Sequence, residues 1–140
     1  MSSQQASQEY LALEVECADP IRRVALLHEG AARFTREAIR HIERRDFEQA
    51  HNAFVRAKNI ILHFLSSVPE ADDSDLADSL RGLLQFTYVK LVEGNVRKDP
   101  RSAQKALEVI RLLGDGWSAL DAQRRPAADG ERPEGVAYLG

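Results

Sequence analysis

Leu83-Leu84-Gln85-Phe86-Thr87-Tyr88-Val89-Lys90-Leu91-Val92-Glu93-Gly94-Asn95 shows no strand period of two, and as a helix it carries more apolar surface than one core-facing stripe needs. At about 100° per residue, Leu76, Leu80, Leu83, Thr87 and Leu91 share one narrow face, and Leu84, Tyr88 and Val92 form a second stripe beside it. The first stripe is expected to face a core. The second has two readings: more core, since each helix of a bundle buries a wide arc, or a surface for a partner.

Helical start signals recur on both sides of this stretch. Asp19-Pro20 offers a capping carboxylate followed by proline at the first helical position, and Ile21, Val24, Ala25, Ala31, Ala32, Ala38, Ile39 and Ile42 then repeat at helical spacing to about Arg44. Asp46 with Gln49 resembles a capping box and opens a helix to about Ser67, with Ala50, Ala53, Phe54, Ala57, Ile60, Ile61, Phe64 and Leu65 on one side. The acidic connection from Val68 to Ser74 precedes a third helix, expected from about Asp75 to Arg97. Asp99-Pro100 starts a fourth, expected to close near Leu120. The pattern predicts an all-α protein, an antiparallel up-down four-helix bundle over 20–120. It would be preceded by a flexible N-terminus and cap segment at 1–19 and followed by a disordered tail at 121–140. Asp46-Phe47-Glu48-Gln49-Ala50 hints at a tetratricopeptide repeat, but no second copy lies one repeat away.

A chain of 140 residues is long enough for one core without disulfides, and Cys17 is its single cysteine. That argues against a disulfide, a zinc quartet or an iron-sulfur cluster, and suits a reducing cytoplasm. Nineteen basic against 22 acidic residues give a net charge of -3, too balanced to suggest a nucleic-acid or membrane-surface protein, and no direct membrane insertion is expected. No secretory signal or membrane span is read in the chain.

Chemistry is poorly provided for. A di-iron bundle needs two Glu-x-x-His motifs, and only Glu48 with His51 fits; His28, His41 and His63 lack the partner acid. No nucleophile-base spacing or phosphate-cradling glycine loop is present, so the chain reads as neither an enzyme nor a cofactor protein. The arginines of the first helix spread around it without interleaved exposed aromatics, as on a solvated face. Gly30, Gly82, Gly94, Gly114 and Gly116 fall inside helices, where each costs about 1 kcal/mol against alanine. Close helix approach in the core and room for a bound chain are both open explanations.

Several motifs in order carry a family resemblance. They are Tyr10, Val15 and Cys17-Ala18-Asp19-Pro20; Leu27-His28-Glu29-Gly30-Ala31 followed by Arg33-Phe34; Arg56-Ala57-Lys58-Asn59-Ile60-Ile61; and Leu91-Val92-Glu93-Gly94-Asn95. From about Tyr10 to Leu120 the chain resembles the flagellar export chaperone family FliS. It departs from that family at His28, usually tyrosine, at Leu84 and Phe86, often tyrosines, and at Gly114 and Gly116, which interrupt a usually strong helix.

The resemblance implies a cytoplasmic chaperone that binds the disordered C-terminal segment of flagellin, prevents premature polymerisation and delivers it to the export gate. The gate protein FlhA would be met when client is bound. Ile61, Leu65, Leu84, Tyr88, Val92 and Leu113 are then expected as apolar client contacts, with Asn59 and Asn95 offering amide hydrogen bonds. Tyr10 and Val15 would belong to a cap segment that signals loading to the gate. Whether the empty chain forms a homodimer stays open, as do the alternatives of another helical client for the same bundle and a metal-binding bundle.

Overall fold

A computed structural model describes residues 19–124 together with Ala6, Gln8, Glu9 and Ala12. From residue 19 onward the described residues form four helices in order: α1 (Pro20–Glu43), α2 (Phe47–Ser67), α3 (Asp75–Arg97) and α4 (Pro100–Arg124), and no strand occurs among the described residues. The fold is an all-α helical bundle, and among the described residues no helix is long and apolar enough to cross a membrane. Most of the expected cap segment and most of the expected tail lie outside the described residues.

The helix ends are set by local chemistry. Asp19 Oδ1 accepts the Arg22 N–H at 3.0 Å, so the expected cap at the start of α1 is made. After α1, Arg45 adopts a left-handed conformation (φ 60°), and the N–H groups of Arg45 and Asp46 return to the carbonyls of Ile42 and His41. That is a Schellman stop built without glycine. Asp46 precedes α2, but its side chain makes no capping bond, so the expected capping box is not formed; its Oδ2 lies instead 3.8 Å from His41 Nδ1. Ser74 caps α3 by accepting the Ala77 N–H at 3.1 Å. Lys98, also left-handed (φ 50°), ends that helix, with the Asp99 N–H bonded to the Gly94 carbonyl.

Two compact units are described separately. In Leu27–Leu113, parts of all four helices contribute buried side chains, among them Phe34, Phe54, Ile61, Phe64, Leu84, Leu91 and Ile110. Ala31, Ala38, Ala50, Ala53, Ala57, Ala103 and Ala106 are buried between these, and such small residues let helix axes approach closely. His28 has an aromatic core role: its buried ring stacks on Phe64 with centroids 4.2 Å apart.

Gly94 lies at the tightest approach. A β-carbon there would sit 3.1 Å from two atoms of the Phe54 ring and 3.3 Å from the Ala103 backbone nitrogen. Phe54 is buried and the nitrogen belongs to α4, so neither side yields easily. Close helix packing therefore accounts for Gly94, whereas a β-carbon at Gly82 or Gly116 would meet nothing within 4 Å.

The other unit comprises, of the described residues, Ala6, Gln8, Glu9, Ala12, 19–26 and 114–124. Here α4 runs to Arg124, past the stop expected near Leu120. The cause is a set of partners distant in sequence. Asp121, largely buried, receives Arg22 at 3.3 Å, and Arg124 reaches Asp19 at 2.6 Å. Polar residues that read as the beginning of a tail are thus held by the start of α1.

Two predictions follow from these contacts. Gly82→Ala should stabilise the protein by about 0.5–1 kcal/mol through helix propensity. Gly94→Ala should destabilise it by about 1–2 kcal/mol despite the same propensity gain, because the added methyl overpacks a closed site. Urea denaturation followed by circular dichroism separates the two, and equal shifts for both would refute the close-approach assignment. The second prediction concerns Asp19, whose carboxyl is lowered from its ordinary 3.8 to about 2, first by the hydrogen bond from Arg124 and then by the Arg22 backbone N–H. A depressed folded-state value contributes stability above the unfolded pKa that is lost as pH falls through the folded one. The melting difference between wild type and Asp19→Asn should therefore be constant above about pH 5 and shrink from about pH 4 to 2. A difference as large at pH 2 as at pH 6 would show that the contact does not depend on charge.

Candidate functional site

On α3 the buried positions are Ala77, Leu84, Thr87, Leu91 and Gly94. This face runs between the two stripes predicted from sequence. Leu84, placed in the partner stripe, is 2% exposed, whereas Leu76, placed in the core stripe, is 79% exposed. The reason is steric. The face of α3 that turns inward includes the bare Gly94 and the small Thr87, where α2 and α4 come nearest, rather than the most apolar line along the helix. Thr87 tolerates full burial because its hydroxyl donates to the Leu83 carbonyl at 2.8 Å.

Two of the residues expected as client contacts are buried by this packing. Ile61, 1% exposed, and Leu84 are core side chains that present no surface for another chain. Leu65, Tyr88, Val92 and Leu113 are half-buried, and Asn59 is exposed. Asn95 is half-buried and already engaged: its amide nitrogen is 3.0 Å from His51 Nδ1, and its Oδ1 accepts from Lys98 Nζ at 2.8 Å. Lys98 Nζ also bonds to the Asn95 carbonyl, so this amide helps close the end of α3. Tyr10 and Val15 lie outside the described residues.

The His51–Asn95 pair and the Phe54–Gly94 contact set the antiparallel register of α2 and α3, which pack directly on each other. Continuing that register toward the C-terminus of α2 aligns Lys58 with Tyr88 and Leu62 with Leu84. A seam of half-exposed side chains results: Val55, Lys58 and Leu62 on α2, with Tyr88 and Val92 on α3.

Sequence patterning missed a second group. Phe86, Val89 and Val96 lie on the side of α3 away from its core face, and Val96 is 78% exposed. Leu62 on α2 and Leu112 on α4 are likewise exposed. The signal was present as a surplus of apolar residues around α3, but a helix apolar on several sides does not reveal which side is covered. Lys90 partly screens Phe86, its ammonium lying 5.6 Å from the ring centroid while bonded to Glu93 at 3.1 Å.

No group of three or more metal-ligating side chains occurs among the described residues. The site offers apolar side chains beside amides and charges, a composition suited to holding a polypeptide.

Stability measurements test this division of α3. Leu84→Ala should cost about 2–5 kcal/mol, the range for a fully buried leucine. Val89→Ser should change stability by no more than about 0.5 kcal/mol, as for an exposed position. Denaturant titration of both variants reads the difference, and a Val89→Ser loss as large as that of Leu84→Ala would place Val89 in the core.

The family described as flagellar protein FliS matches residues 2–124. The flagellar secretion chaperone FliS of Bacillus subtilis (strain 168) is 24% identical over 112 residues, covering 79% of this chain and 83% of that protein. With a match spanning nearly all of the helical region, the chain belongs to the FliS family of flagellar proteins.

Proposed function

We propose that this chain is a flagellar secretion chaperone that binds the C-terminal segment of flagellin in the cytoplasm, keeps it from polymerising and hands it to the export gate through FlhA. The observation that carries this reading is the family match over residues 2–124. The name of the Bacillus subtilis relative, a secretion chaperone, supports it.

The physical role is coverage. A subunit segment that makes filament contacts has apolar faces that aggregate when left exposed, and a chaperone competes by burying them. The α2–α3 seam at Lys58, Leu62, Tyr88 and Val92 is the proposed starting surface, extended by Leu65, Asn59 and Leu113 and by the exposed Phe86 and Val89. Client ordering opposes binding, so apolar burial must exceed that entropy cost. Holding and release need no covalent step. Asn95 serves the client only if its bonds to His51 and Lys98 are exchanged.

Calorimetric titration with a peptide copying the C-terminal segment of the cognate flagellin tests the reading. Equimolar binding with a negative heat-capacity change is expected. Val92→Asp should weaken it at least tenfold, about 1.4 kcal/mol, with the far-ultraviolet spectrum unchanged. Absence of binding at high micromolar peptide would overturn flagellin as client, and a different helical client would then be sought for the same surface.

A further inference from the structure

Two arginines of the Leu27–Leu113 unit make no ion pair with any described residue and occupy an unusual position. Arg33 on α1 and Arg56 on α2 both lie against the ring of Phe34, with guanidinium carbons 5.3 and 5.9 Å from its centroid. Phe34 itself is buried. Arg33 Nε and Nη2 and Arg56 Nη1 are shielded from solvent and have no hydrogen-bond partner among the described residues. None of the ion pairs among the described residues involves either guanidinium.

The ring face offsets part of the cost of bringing two cations to one place, since a cation over an aromatic face gains about 0.5–2 kcal/mol. It satisfies no N–H donor. A buried donor without an acceptor costs about 1–3 kcal/mol, and more when the group is charged. Two like charges gathered on one ring also repel each other. Both arginines are only half-buried, so part of each side chain remains within reach of solvent and of a ligand entering from it. A guanidinium presents its N–H groups as a planar fork that matches the oxygens of a carboxylate or phosphate.

We propose that Arg33 and Arg56, organised by Phe34, form an oxyanion-binding site between α1 and α2 that takes a carboxylate or phosphate group. The inference does not depend on the identity of the chaperone's client. A carboxylate would come from an acidic side chain of a bound polypeptide, and a phosphate from a small molecule.

The test uses the full chain and two probes, sodium acetate and inorganic phosphate, at constant ionic strength. The Nε–Hε signals of Arg33 and Arg56 are followed by nuclear magnetic resonance. A saturable shift is expected, with a dissociation constant on the order of 1 mM. Arg33→Gln and Arg56→Gln should each weaken it at least tenfold, while Arg44→Gln, an exposed arginine elsewhere on the chain, should leave it unchanged. Arg56→Lys keeps the charge and should still lose the effect, because the fork is what binds. Saturation with acetate alone identifies a side-chain carboxylate as the ligand; saturation with phosphate alone identifies a phosphate group. Shifts that stay linear with both salts, or persist equally in the glutamine variants, would overturn the proposal. If Arg33→Gln fails to fold, Arg56→Gln carries the same reading.

Discussion

The contact on which the bundle most depends is the Phe54 ring of α2 against the bare α-carbon of Gly94 on α3, with the Ala103 nitrogen of α4 closing the third side. Three helices meet there with no room for a methyl group. Because core packing approaches that of an organic crystal, such a point restricts rotation and register together. The His51–Asn95 pair lies one turn away and gives the same antiparallel alignment of α2 and α3.

Once α3 is locked at Gly94, the fate of its other side chains is settled. Leu84, Thr87 and Leu91 turn inward, Tyr88 and Val92 come to the α2 seam, and Phe86, Val89 and Val96 face away from the core. The apolar surplus of α3 is therefore divided between interior and surface by one steric constraint. On the proposed chaperone function this division matters, since what the core leaves uncovered is what a polypeptide client would use.

Charged residues are placed by the same rule of satisfying what burial exposes. Asp19 both caps α1 and holds Arg124, while Asp121 receives Arg22, so helical structure extends into a segment with no apolar period. Asn95 is drawn into the end of α3 by Lys98. Arg33 and Arg56 depart from that rule, cations gathered on Phe34 with donors unfilled among the described residues.

The order of elements, their starts at Asp19-Pro20 and Asp99-Pro100, and the family resemblance were all legible in the sequence, because capping chemistry and helical period act between residues a few positions apart. The alanine and phenylalanine core of α2 was legible for the same reason. The capping role of Asp46, the end of α4 and the division of α3 were not. Each depends on groups far away in the chain: Arg22 and Asp19 for residues 121–124, and Phe54 with Ala103 for Gly94. Periodicity shows that a helix has an apolar side and cannot choose between two such sides. That choice belongs to the tertiary structure, since it turns on which face can approach a neighbour most closely, and a glycine without a side chain can outweigh a row of leucines.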